Sequence, residues 1–178
     1  MNARIATIGG MGYPFTETAA GMPHLTERFK AIGIDVGASV FKHNDRQAIR
    51  DWLWRFNGFR ALIGDSLGAG AAALYAGDLD GEVDFVGGFQ PSNYDPIGNG
   101  PAGHHEIPVS ANIKVAHCIR DPRWIDTFGL GQAYYVVRNT KTVLTLTENY
   151  GAHPDDWGYS QDLMFNHVKQ LLPVEKTA

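Results

Sequence analysis

The chain holds a single cysteine, Cys118, so no intrachain disulfide can brace it and its stability has to come from a packed core. It has no apolar run approaching the roughly 20 residues of a membrane span. The opening MNARIATIGG lacks the apolar stretch of a signal peptide. The expectation is a reducing, cytoplasmic compartment. Charge of one sign is also scarce. Fifteen Lys and Arg against nineteen Asp and Glu give a formal net charge of −4, and the basic residues are scattered. That excludes the concentrated basic face that nucleic acid or an anionic membrane requires. There is no internal repeat, no low-complexity tract and no Walker lysine, and the glycine-rich turn at residues 9–12 is not a Gly-x-Gly-x-x-Gly. The partner this balance fits is a small polar molecule or an apolar ester.

What is present is the make-up of a globular protein: 178 residues, 44% hydrophobic and 19% charged. That length suits one domain spanning 1–178 rather than two. Short apolar runs alternate with amphipathic ones. Residues 4–8, 34–41, 59–63, 83–89, 113–119 and 142–147 read as strands, the last rich in threonine and β-branched side chains. Helices are expected over 23–32, over a segment capped by Asp45 and ended by Asn57-Gly58, over an alanine-rich stretch reaching Ala76, and over 160–172. Residues 90–108 hold four prolines and three glycines and read as an irregular loop or small cap. Residues 122–128 suggest a short helix, and 133–137 remain ambiguous. Such alternation specifies a mostly parallel sheet covered on both faces, a three-layer α/β architecture whose functional groups gather at the carboxyl ends of the strands.

One strand end stands out. Gly64-Asp65-Ser66-Leu67-Gly68 fits Gly-x-Ser-x-Gly between an expected strand and an expected helix. The pattern is short, and its meaning comes from that context. A nucleophile on so sharp a bend projects clear of the sheet, and side chains two positions either side would collide there, so glycine fills both. The bend also sets the backbone N–H of Leu67 at a helix N-terminus, facing the place where an oxyanion would develop. A serine hydroxyl needs a base, and the base needs an orienting acid. With this type of elbow the chain order is Ser, acid, His. His153 lies after the sixth strand and before the last helix. Asp121 follows the fifth strand directly, with Asp126 five residues on as the alternative acid; Asp121 before Pro122 would equally suit a helix N-cap. Asp155 and Asp156 follow the histidine and suit a helix cap or solvent. The glycine-rich turn Gly9-Gly10-Met11-Gly12 after the first strand offers a second oxyanion donor, Met11 or Gly10. Tyr13, Tyr94, His104 and His105 are candidate pocket residues. Cys118, mid-strand, reads as packing.

Taken together, these residues resemble the α/β-hydrolase superfamily in a minimal form comparable with cutinase-like or small lipase-like esterases. Gly64-Asp65-Ser66-Leu67-Gly68-Ala69-Gly70 is similar to its nucleophile elbow, Gly9-Gly10-Met11-Gly12 resembles its oxyanion loop, and Asp121 and His153 fall where its acid and base stand. The resemblance covers nearly the whole chain. It implies six strands in the order 2-1-3-4-5-6 and hydrolysis of an ester, thioester or amide through an acyl-serine, with no cofactor and no metal. The chain departs from the family in carrying Asp65 where a bulky residue is usual, and in lacking disulfides and a long helical cap.

Other likenesses are partial. Gly64-Asp65-Ser66-Leu67 spells the nucleophile block of the GDSL (SGNH) hydrolases. That family places the block after its first strand and adds an Asp-x-x-His pair near the end, and neither holds here. Ala152-His153-Pro154-Asp155-Asp156 resembles the zinc motif of the GlcNAc-PI de-N-acetylase-like deacetylases. Here Trp157 replaces that family's Glu, and His167 alone lies downstream, against the three or four convergent ligands zinc requires. A non-catalytic flavodoxin-like binding module would share the sheet and use residues 9–12 as a phosphate loop.

Overall fold

Seven consecutive buried residues, Phe59–Asp65, are what a strand covered on both faces demands, and they lie near the middle of the sheet. The computed structural model describes residues 2–10, 21–37, 40–95, 100–101, 106–121, 133–149 and 157–173. In chain order these form β1 (Ala3–Gly9), α1 (Gly21–Ala31), β2 (Phe41–Lys42), α2 (Arg46–Leu53), β3 (Phe59–Asp65), α3 (Leu67–Gly77) and β4 (Val83–Phe89). Then come β5 (Tyr94–Asp95), β6 (Gly100–Pro101), β7 (Glu106–Val109), β8 (Ile113–Arg120), β9 (Tyr134–Val137), β10 (Val143–Glu148) and α4 (Trp157–Leu171).

Six of the strands make one sheet in the order β2-β1-β3-β4-β8-β10, every neighbouring pair parallel. Counting only its own members, that is 2-1-3-4-5-6, a minimal α/β-hydrolase fold. Because side chains alternate across a strand, each strand feeds two cores. Ile5, Ile63, Phe85 and Ile119 face Phe29 of α1 and Met164 and Val168 of α4. Ala6, Ile8, Leu62, Val86 and Cys118 face α2 and α3. Among the described residues no helix is long and apolar enough to cross a membrane.

Three local features differ from the sequence expectations. The second strand is two residues, not eight: Gly37 takes φ +77 and breaks the extended run, leaving an isolated bridge between Asp35 and Arg4. Asp45 stands at the N-cap of α2 but makes no capping bond; its carboxylate accepts the Lys42 N–H at 2.8 Å instead. The stretch around 90–108 is only partly irregular. It contains the two-residue ladder β5–β6, and Glu106–Val109 pairs in parallel with Tyr134–Val137. This β7–β9 ladder packs Ile107, Val109 and Tyr135 into the same core as α3. Covered by the sheet inside and by that ladder and α2 outside, α3 is buried all round, which is why alanine and glycine compose it.

Candidate active site

Ser66 joins β3 to α3 with φ 53 and ψ −120, a conformation that costs a non-glycine residue of order 1–3 kcal/mol. The surroundings hold it there. Its N–H donates to the Phe89 carbonyl at 2.9 Å, and its own carbonyl accepts the N–H of Ser92 and that of Ala69, both at 3.0 Å. A Cβ on Gly64 would lie 2.0 Å from the Gly68 carbonyl oxygen, and one on Gly68 would lie 2.4 Å from that of Ile8. Both glycines of the motif are therefore required by backbone packed against backbone. Leu67 is the first residue of α3, so its N–H belongs to the first turn, where amides have no acceptor within the helix.

Gly10, the residue after β1, lies against this bend. A Cβ on Gly10 would come to 3.0 Å from both the Asp65 carbonyl oxygen and the Ser66 Cβ. Two strands along the same edge is Asp121. Register places Asp65 beside Phe89 and Phe89 beside Ile119, so Ser66, Gln90 and Arg120 are level and Asp121 is one step beyond. Asp121 is 3% exposed, and its N–H donates to the Gln90 side-chain oxygen at 2.9 Å. Asn149, just past β10, donates its N–H to the Arg120 carbonyl at 2.8 Å and its side-chain amide to Ser160 of α4 at 2.9 Å. Asn149 thereby ties the end of β10 both to the strand end that carries Asp121 and to α4.

The structure thus gathers Ser66, Leu67, Gly10 and Asp121 at the carboxyl edge of the sheet. Met11, Tyr13, His104, His105, Asp126 and His153 lie outside the described residues, as does the side chain of Tyr94. Sequence reasoning passed over two neighbours. Gln90 is buried with φ 43, a second strained non-glycine residue on this edge. His43 follows β2 beside Gly10; burial lowers its pKa, while a hydrogen bond to the Gly10 backbone and the charge of Asp45 raise it. The Tyr75 hydroxyl of α3 donates to the His43 carbonyl at 2.7 Å.

Lower on β8, a histidine pair fills the α4 face. His117 Nδ1 is 2.9 Å from His167 Nδ1, and its Nε2 is 2.9 Å from the Thr147 hydroxyl. Desolvation, with the neighbouring His167 second, lowers the His117 pKa to about 4. On the opposite face, burial pushes the Cys118 thiol up to about 11, against smaller opposing effects of the Tyr135 backbone and Arg120. Among the described residues no group of three or more His, Cys, Asp or Glu could hold a metal ion.

This architecture, with a strained serine between a buried parallel strand and a helix, is the α/β-hydrolase fold. A solved structure from Xanthomonas campestris, an α/β serine hydrolase without a lid, is similar over 97% of this chain and 84% of its own, with a TM-score of 0.51 and 14% identity. No protein-family model and no curated protein matches the chain.

Proposed function

We propose that the protein is a serine hydrolase that cleaves a carboxylic ester of a small molecule through an acyl-serine intermediate. The observation that carries this reading is the backbone of Ser66, held at φ 53 and ψ −120 by glycines that admit no side chain. Strain concentrated on one hydroxyl-bearing residue at the functional edge of a sheet is more than a turn requires.

In the proposed mechanism Ser66 Oγ attacks the ester carbonyl carbon while His153 takes its proton. The tetrahedral oxyanion is met by the N–H groups of Leu67 and of Met11 or Gly10. Collapse expels the alcohol, which leaves with the proton from His153. Water, deprotonated by the same imidazole, then releases the acid and restores Ser66. Asp121 orients the imidazole, with Asp126 as the alternative. Strands β3 and β8 are two apart, which sets Ser66 and Asp121 about 10 Å from each other, a span that an imidazole hydrogen-bonded at both sides bridges. The wall of the pocket is assigned to Tyr13 and to Tyr94, His104 and His105, the last three as part of a loop or small cap at 90–108 in a single domain. Thioesters and amides suit the same apparatus. The similar Xanthomonas protein, a serine hydrolase without a lid, supports the reading.

The test is hydrolysis of p-nitrophenyl esters of rising acyl length. Saturable turnover that falls at least about 1,000-fold in Ser66→Ala is expected. Turnover undiminished in that variant contradicts the assignment.

A further inference from the structure

The nucleophile and the proposed acid are tied together by one short stretch of chain. On one side the Phe89 carbonyl accepts the Ser66 N–H at 2.9 Å, and the Ser92 N–H returns to the Ser66 carbonyl at 3.0 Å. On the other side the Gln90 N–H donates to the Ile119 carbonyl at 2.8 Å, and the Gln90 side-chain oxygen accepts the Asp121 N–H at 2.9 Å. Residues 89–92 are also anchored from outside, where the Ala133 N–H meets the Pro91 carbonyl at 3.0 Å. Gln90 is 8% exposed and Ser92 7%, so these bonds form out of water, where losing one is costly. At φ 43 the Gln90 backbone is in a region that suits glycine or asparagine, yet a longer side chain stands there.

We infer that Gln90 is a positioning residue that fixes Asp121 relative to Ser66. This inference rests on the triad reading above. β4 lies between the strand that delivers the serine and the strand that delivers the acid, and β8 ends at Arg120, so Asp121 is the first residue past that strand. Its backbone N–H is the group that the Gln90 side chain engages. The Gln90 amide takes that N–H and thereby sets the direction in which the Asp121 side chain leaves the backbone. The twisted backbone at Gln90 turns the side chain toward β8 while keeping its own N–H on Ile119. A carboxylate so placed stabilises the imidazolium form of the base. A displaced one stabilises it less and lowers the pKa of that base.

The experiment compares Gln90→Met, which keeps length but removes the acceptor, with Gln90→Glu, which keeps an acceptor oxygen. Each is also made with Asp121→Asn. p-Nitrophenyl acetate is the probe, rates are expressed per site titrated with a fluorophosphonate, and folding is checked by circular dichroism. Gln90→Met is expected to lower kcat about ten-fold with KM nearly unchanged, and to move the acidic limb of kcat/KM down by about half a pH unit. Gln90→Glu is expected to recover most of kcat, and Gln90→Met should cost little more once Asp121 is Asn. An unmoved acidic limb, an equal loss in both Gln90 variants, or a full ten-fold loss persisting beside Asp121→Asn overturns the inference. Wild-type protein that labels at Ser66 while Gln90→Met behaves normally sinks this inference alone. Wild-type protein that does not label sinks the hydrolase reading with it.

Discussion

The His117 imidazole makes stability depend on pH in a direction and window that its surroundings fix. It is 3% exposed, wedged between His167 of α4 and Thr147 of β10, with the Phe85 ring of β4 edge-on to His167. In the neutral pair one Nδ1 donates and the other accepts, so a proton on the accepting nitrogen breaks it, and burial disfavours a charge on His117 in either role. The folded pKa is about 4 against 6.5 for a free histidine. Since it is lowered, the unfolded chain binds the proton first. The contribution to stability is complete above pH 6.5, is lost as pH falls from 6.5 to 4, and changes no further below that. Two and a half units correspond to about 3 kcal/mol, and the lowered pKa of His167 acts in the same direction. In urea, that is a drop in midpoint of roughly 1–2 M. Unfolding curves at several pH values between 7 and 4 should show the wild type losing this stability and His117→Gln losing far less, so that the two converge. Parallel curves would refute the pairing as the cause. The same window governs any activity profile, since acid loss of turnover through unfolding has to be separated from titration of a catalytic base.

Other expectations concern the elbow and the core. Gly68→Ala puts a methyl 2.4 Å from the Ile8 carbonyl oxygen, so it should cost about 1–3 kcal/mol and abolish fluorophosphonate labelling; a stable, labelled variant contradicts the packing. Ser66→Gly should be inactive yet more stable by about 1 kcal/mol in thermal unfolding, because it relieves the positive φ; a destabilised variant would show that the bend holds no strain. Cys118, buried with its thiol pushed up to about 11, should resist a disulfide reagent until the protein unfolds, and rapid labelling of native protein would place it elsewhere.

The strand order and the elbow were legible because burial on both faces leaves unbroken apolar runs, and because a serine flanked by glycines has few reasons to stand between a strand and a helix. Other features had no local signal. The β7–β9 pairing joins a proline- and glycine-rich stretch to residues some thirty positions on, and no periodicity announces it. The all-round burial of α3 was visible only as an excess of alanine, whose cause is that ladder. Gln90 and His43 are ordinary residues in the sequence. Their places beside Asp121 and Gly10 come from register between neighbouring strands, which composition does not encode. The His117–His167 contact, fifty residues apart in the chain, is of the same kind. Asp45 shows the converse: a strong capping signal whose carboxylate is used by the preceding turn.

The most direct trial of the central claim is intact-mass measurement of the native protein after a fluorophosphonate probe, followed by mapping of the modified peptide. One adduct per chain, carried by Ser66 and absent after heat denaturation or in Ser66→Ala, is the predicted outcome. An unmodified protein, or an adduct on another residue, would contradict it.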